Sequence, residues 1–283
     1  MQHRGGSRLP VTALNGILDG MTPTREDGLT MLKRRKIGMT NLEVTELGLG
    51  GAPMGGFRAT ISEAEATALT DAAYEGGVRY FDTSPFYGYG RSELRMGAAR
   101  RERPRDEYVV STKVGRVLHA MRPGEKPPAD FRDNGLPGFA PVFDYTYDGV
   151  MRSLEHSHLR LGLARIDIAL IHDVDFWTTR DRDVLEQRFR TVMDSGFRAL
   201  DELRKAGVVG AIGVGINEAD QLALHPGRRF RLHAAGRPLH TPRARWPTGV
   251  PAGMFETERV RDPGRSVNSG ILTGGVKPGA THD

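Results

Sequence analysis

Four polar residues of types suited to proton transfer stand at or just past the ends of apolar runs: Asp82, Tyr87, Lys113 and His172. A free tyrosine titrates at about 10, too high to exchange protons at neutral pH unless a nearby cation stabilises its phenolate. Lys113 is expected to be that cation and to bring the Tyr87 pKa down. Asp82 is expected to hold Lys113 in place, and His172 to hydrogen-bond the substrate oxygen. A site of this kind gives or takes a proton at an oxygen while a hydride joins or leaves the attached carbon. Singly, each residue has a plainer reading: Asp82 as a turn former, Lys113 as a surface side chain, His172 as a satisfied core histidine, Tyr87 as packing. The chemical reading rests on all four meeting at one face of one sheet.

The elements that would bring them there alternate strand with helix. Strands are read at 42–51 (LEVTELGLGG), 78–84 (VRYFDTS), 107–113 (EYVVSTK), 165–173 (RIDIALIHD) and 208–217 (VVGAIGVGIN). Helices are read at 61–78, opened by the capping box Ser62-x-x-Glu65 and closed at Gly76 and Gly77, at 92–103 before Pro104, at 147–162, and as one piece over 184–207. These βα units recur at intervals of roughly 30 residues. Strands apolar on both faces belong to a parallel sheet covered by helices. The dinucleotide pattern G-x-G-x-x-G is missing, because GLGGAP, GYGRSE and GVGINE each fail at the last glycine. The expected fold is therefore a (β/α)8 barrel, in which functional groups sit where strands end. The Pro/Gly-rich insertion from about Leu118 to Pro141 is expected to lack regular structure and to act as a lid or binding loop. The loop after Asp82, with Phe86 and Tyr89 as packing or substrate-wall residues, is expected to use its glycines to pass close to substrate and cofactor.

Composition narrows the chemistry further. The 283 residues are 38% hydrophobic and 27% charged, which suits a globular chain with a sizeable core. Without cysteine there are no disulfides, thiolate metal sites or thiol nucleophiles, which suits a cytoplasmic setting. No apolar run reaches the roughly 18 residues of a membrane span, so no membrane partner is expected. His156 and His158 lie two apart on a helix and cannot share a face, so they read as solvated, and no metal is expected. The net charge of +5 is concentrated: residues 225–265 hold nine Arg, no Lys and three acids. Those arginines lie among six prolines with no period, unlike a groove-binding helix or stacking platform, so no nucleic-acid partner is expected.

Residues 1–32 read as a disordered leader or an upstream mis-start, with Met31 a natural start, and 33–283 as the barrel. After Asn217 only 66 residues remain, where three further βα units at roughly 30 residues each would need about 90. Within them, 224–265 has neither strand nor helix period and is expected to be an out-of-frame segment. The last strand and helix are expected to be missing.

The ordered motifs GLGGAPMGG, GVRYFDTSPFYGYGRSE, VSTKVGR, RSLEHSHLRLGLARIDIALIHDVD, RKAGVVGAIGVGINE and VNSGILTGG together resemble the aldo-keto reductases. Their IHDVD and GINE endings are similar to the branch with D-threo-aldose, L-galactose and pyridoxal dehydrogenases. The resemblance implies an NAD- or NADP-dependent oxidoreductase acting on a small sugar or aldehyde, with Asp82, Tyr87, Lys113 and His172 as a catalytic tetrad and Tyr87 as its general acid/base. It further implies Asn217 facing the nicotinamide carboxamide, and Asn268, Ser269, Gly270 and Leu272 along the pyrophosphate. For an aldose the product would be a lactone. A relic that keeps the barrel face but binds cofactor weakly is the competing reading, and a pyridoxal-type dehydrogenase stands behind it.

Overall fold

The computed structural model describes residues 24–26, 29–38, 40–56, 60–125, 138–217 and 233–234. Two short antiparallel hairpins come first, β1 (Thr24–Glu26) with β2 (Leu29–Met31), and β3 (Arg34–Lys36) with β4 (Glu43–Thr45). The last residues of the expected leader are thus paired; residues 1–23 lie outside the described residues. The single strand expected over 42–51 is two. Thr45 accepts from the Arg79 amide at 3.0 Å and donates to the Leu47 carbonyl at 2.7 Å, turning the chain between β4 and β5 (Leu49–Gly50).

From β5 the chain builds one sheet. It contains β6 (Tyr80–Asp82) and β7 (Val109–Val114); after the β8 (Arg116–Ala120) and β9 (Phe139–Phe143) hairpin come β10 (Ile168–His172), β11 (Ala211–Gly215) and β12 (His233–Ala234). Neighbours run β5-β6-β7-β10-β11-β12, and every pair is parallel. The order never reverses, so crossovers of one hand stack all the helices on one side. A doubly wound sheet would reverse and carry helices on both. The described strands are thus an arc of the (β/α)8 barrel.

Two apolar clusters divide along the strand alternation. Phe81, Val110, Val114, Ala169, Ile171, Ile212 and Val214 pack toward the helices. Tyr80, Ile168, Leu170 and Ala211 face the other way and pack with Ile37 and Val44 of the β3–β4 hairpin, which plugs the barrel interior at the N-terminal ends of its strands. The interior positions nearer the opposite end carry Asp82, Ser111, Lys113 and His172, because each continues a two-residue alternation.

The helices are α1 (Glu63–Glu75), α2 (Arg91–Arg100), α3 (Tyr147–Leu161), the single turn α4 (Phe176–Thr179), α5 (Arg182–Thr191) and α6 (Phe197–Lys205). The capping box at Ser62 and Glu65 is formed in both directions. The one helix expected over 184–207 is broken by a π turn at Val192–Gly196. Its extra residue brings Ser195 Oγ to accept from the Tyr147 amide at 2.7 Å and lets Gly196 approach Tyr145, whose carbonyl oxygen would lie 2.4 Å from an added Cβ. The insertion also departs from expectation. Its flanks pair as the β8–β9 ribbon, with Pro141 opposite Leu118 on a two-stranded edge that tolerates a missing N–H. Residues 126–137 lie outside the described residues. So do 218–232 and 235–283, which contain Asn268, Ser269, Gly270, Leu272 and nearly all of the aperiodic segment. Within that segment, His233 and Ala234 pair with Gly213 and Val214 of β11.

Gly97 shows how closely the outer layer is packed: a Cβ there would meet the Leu161 carbonyl oxygen at 2.0 Å, where α2 crosses the end of α3. Glycine to alanine inside a helix ordinarily stabilises by about 1 kcal/mol. Gly97→Ala is expected to reverse that sign and cost about 1–3 kcal/mol, read as a lower urea midpoint at unchanged slope.

Candidate active site

The parallel register of β6 and β7 sets Asp82 beside Ser111, so Lys113, two residues on, reaches over the same interior face. Lys113 Nζ donates to Asp82 Oδ2 at 2.6 Å and to the Thr83 carbonyl at 3.0 Å, while Ser111 Oγ donates to Asp82 Oδ1 at 2.6 Å. Burial opposes the Lys113 ammonium, but the Asp82 carboxylate and the Tyr87 oxygen outweigh it and hold the lysine charged beyond its ordinary range. Gly215 leaves room for this side chain: an added Cβ would stand 2.9 Å from Lys113 Cε.

Tyr87 comes from the loop between β6 and α2. Lys113 Nζ lies 4.8 Å from its ring centroid, and its charge favours the phenolate. The expected lowering of the Tyr87 pKa is not the net result. Burial is the largest influence and pushes it up; the Lys113 charge pulls it down by less, and Asp82 pushes it up again. Although part of the residue is exposed, Tyr87 therefore keeps its proton at neutral pH. The loop's glycines have a contact of their own. Gly88, at φ +65°, packs backbone to backbone on Gly55, whose carbonyl oxygen would sit 2.1 Å from an added Cβ. This close backbone approach fixes the residue adjoining Tyr87.

His172 ends β10 beside Gly215 of β11. Its Nδ1 lies 3.0 Å from Ser84 Oγ and its Nε2 3.3 Å from Asp173 Oδ2, while Tyr145 donates to its carbonyl at 2.6 Å. The rings of Tyr87 and Phe86 stand edge-on to it, at 5.9 and 6.1 Å between centroids. Burial, then the Arg116 and Lys113 charges, lower the His172 pKa well below its ordinary value. The imidazole is neutral at neutral pH, so its 3.3 Å contact with Asp173 is not an ion pair.

All four expected residues thus converge, and four others that sequence reasoning passed over join them: Ser84, Arg116, Asp173 and Asp175. Asp173 pairs with Arg116, whose guanidinium stacks on Phe86 at 3.7 Å and Phe143 at 4.5 Å. Burial pushes the Asp173 pKa up to about 6 against the pull of Arg116, and Asp175 adds to the rise. Its backbone sits at φ +52°, an uncommon place for a side chain with a Cβ. Asn217 is clamped to the same acids: its amide and Nδ2 donate to Asp175 Oδ2 at 2.5 and 3.0 Å, and Nδ2 reaches Asp173 Oδ1 at 3.3 Å. The acids spaced two apart after His172 were the signal for this. Phe86 and Tyr89 pack together as expected, at 5.7 Å between centroids. His158 is tied rather than solvated, with Nδ1 2.8 Å from the Leu163 carbonyl.

This chain has relatives among known proteins. The model of the aldo/keto reductase family matches residues 46–229. The chain belongs to the aldo/keto reductase family. A pyridoxal 4-dehydrogenase from Microbacterium luteolum is 46% identical over 66% of this chain and 56% of its own length. A D-threo-aldose 1-dehydrogenase from a Pseudomonas species is 39% identical over 64% of this chain and 53% of its own. An L-galactose dehydrogenase from Arabidopsis thaliana is 29% identical over 66% and 49%. The chain therefore spans about half the length of the curated relatives it matches. An aldo-keto reductase from Bacillus halodurans, solved in its holo form, has the same fold at a TM-score of 0.54 and 22% identity, over 73% of this chain and 57% of that one.

For this aldo/keto reductase the buried acid has a consequence for stability. The folded state holds the Asp173 proton to about 6 against an ordinary 3.8. A pKa raised on folding contributes stability that is present below the lower value and lost as pH rises through the upper one. The unfolding free energy of the native chain relative to Asp173→Asn is expected to fall across that window and level off above it, measured by urea denaturation at a series of pH values.

Proposed function

We propose that the chain is an NAD- or NADP-dependent oxidoreductase that interconverts a hydroxyl and a carbonyl on a small sugar or aldehyde, with Tyr87 as general acid/base. The observation that carries this reading is the Lys113 ammonium, 4.8 Å from the Tyr87 ring centroid and anchored by Asp82. A buried cation against a phenol is an arrangement for moving a proton at that oxygen.

The residues present fit a nicotinamide. Asn217 spends its Nδ2 on Asp175 and Asp173, so it offers a ligand the Oδ1 acceptor, the complement of a carboxamide N–H. When bound, the dinucleotide supplies the hydride acceptor or donor. In oxidation the substrate hydroxyl passes its proton to the Tyr87 oxygen as its carbon loses hydride, which leaves a carbonyl, or a lactone when the substrate is a cyclic aldose. In reduction Tyr87 returns the proton to the oxygen as the carbon gains hydride. Lys113 stabilises the phenolate form, Asp82 holds Lys113 on line, and neutral His172 hydrogen-bonds the substrate oxygen. Asn268, Ser269, Gly270 and Leu272 are assigned the pyrophosphate in the same reading, in the cytoplasm.

The D-threo-aldose and L-galactose relatives support an aldose oxidised at its C1 hydroxyl, and the pyridoxal relative at 46% identity supports a second reading, an aldehyde or alcohol carried on an aromatic ring. Purified chain assayed with NAD+ or NADP+ against L-fucose and pyridoxal separates these. Turnover with neither, from folded protein, would favour the relic.

Tyr87→Phe is expected to reduce turnover by about 100-fold or more, read from nicotinamide absorbance. Because the Tyr87 pKa is raised, oxidation should accelerate with pH through the alkaline range as the phenolate fraction grows, while reduction, which uses the phenol, stays level through neutrality.

A further inference from the structure

We propose that Ser84 is a positioning residue that holds His172 in the tautomer whose hydrogen is on Nε2. Ser84 is fully buried in the loop after β6 and has two partners: its Oγ accepts from the Phe86 amide at 3.1 Å and meets His172 Nδ1 at 3.0 Å. A hydroxyl has one hydrogen, and the Phe86 N–H already occupies one of its lone pairs. The remaining hydrogen is satisfied at Nδ1, which must then be an acceptor. In a neutral imidazole the other nitrogen carries the hydrogen.

The far side of the ring agrees independently. Nε2 lies 3.3 Å from Asp173 Oδ2, a carboxylate that already accepts from Arg116 and Asn217, and the negative charge there favours a hydrogen rather than a lone pair on the nitrogen beside it. Both ends of the imidazole thus specify the same tautomer. Tyr145, donating to the His172 carbonyl at 2.6 Å, helps fix the backbone that carries the ring. The other tautomer would set the Nε2 lone pair against the Asp173 carboxylate and leave the hydrogen of the fully buried Ser84 without an acceptor.

The consequence for catalysis rests on the proposed function: only an Nε2–H can donate to a substrate oxygen, so Ser84 would act on the reaction through His172 without touching substrate. The tautomer itself does not depend on that reading, and it can be measured without cofactor. Nitrogen-labelled histidine in the full chain, with the His172 signals assigned by their loss in His172→Gln, should show Nε2 protonated and Nδ1 bare at neutral pH. In Ser84→Ala a mixture of tautomers should appear, and kcat should fall about fivefold to tenfold with KM nearly unchanged. Ser84→Thr, which retains the hydroxyl, should restore the native nitrogen shifts. A native His172 with hydrogen on Nδ1, or a Ser84→Ala spectrum identical to the native one, overturns the proposal. Should Ser84→Ala not fold, the native spectrum decides alone: coupling between a Ser84 hydroxyl hydrogen and Nδ1 supports the proposal, and hydrogen on Nδ1 overturns it. A native chain with the expected tautomer and no nicotinamide-linked turnover would instead count against the proposed function.

Discussion

The Lys113–Asp82 ion pair is the interaction on which the rest of the site depends. An ammonium inside a barrel is tolerated only if a carboxylate and further acceptors replace the water it has lost. Here Asp82 and the Thr83 carbonyl do so beside the Tyr87 ring, and Ser111 satisfies the other Asp82 oxygen. Removing either partner would leave a buried charge unmatched. The pair also joins the end of β6 to β7, so the electrostatics of the site and the alignment of two strands are one constraint. The charge that results is felt by Tyr87 and by His172, and it helps keep the imidazole neutral.

Around that pair the barrel separates tasks along its axis. The interior near the strand starts is apolar and closed by the β3–β4 hairpin, whereas the interior near the strand ends is polar and densely hydrogen-bonded. Two loops bring in the remaining groups by different means. The Tyr87 loop is seated by glycine against glycine, which leaves little freedom in its position. The segment after β10 is seated by charge, with Asp173 on Arg116 and Asp175 on Asn217. The β8–β9 ribbon therefore helps build the site through Arg116.

Much of this was legible in the residues. Asp82, Lys113 and His172 end apolar runs, and a two-residue alternation places such residues on the interior face whichever neighbours they find. The capping box at Ser62 is a local interaction and formed as read. Where the reading failed, a distant partner decided. The helix over 184–207 gains a π turn because Tyr145 and Tyr147, some fifty residues earlier, press on Gly196 and Ser195. The β8–β9 ribbon forms across an insertion that looked like pure loop, because strand pairing needs two segments and neither announces the other. The sign of the Tyr87 shift was misjudged for a similar reason: the charge of Lys113 is visible in sequence, but the depth of burial is not.

By itself the sequence determined the alternation of strand and helix, the polar residues at the strand ends and the family motifs, since these follow from local periodicity and residue type. Only the tertiary structure decided that Ser84 meets His172, that Arg116 and Asp173 pair beneath Phe86, and that burial outweighs Lys113 at Tyr87. Those outcomes depend on distance and on the exclusion of water, which exist only once separate strands lie side by side.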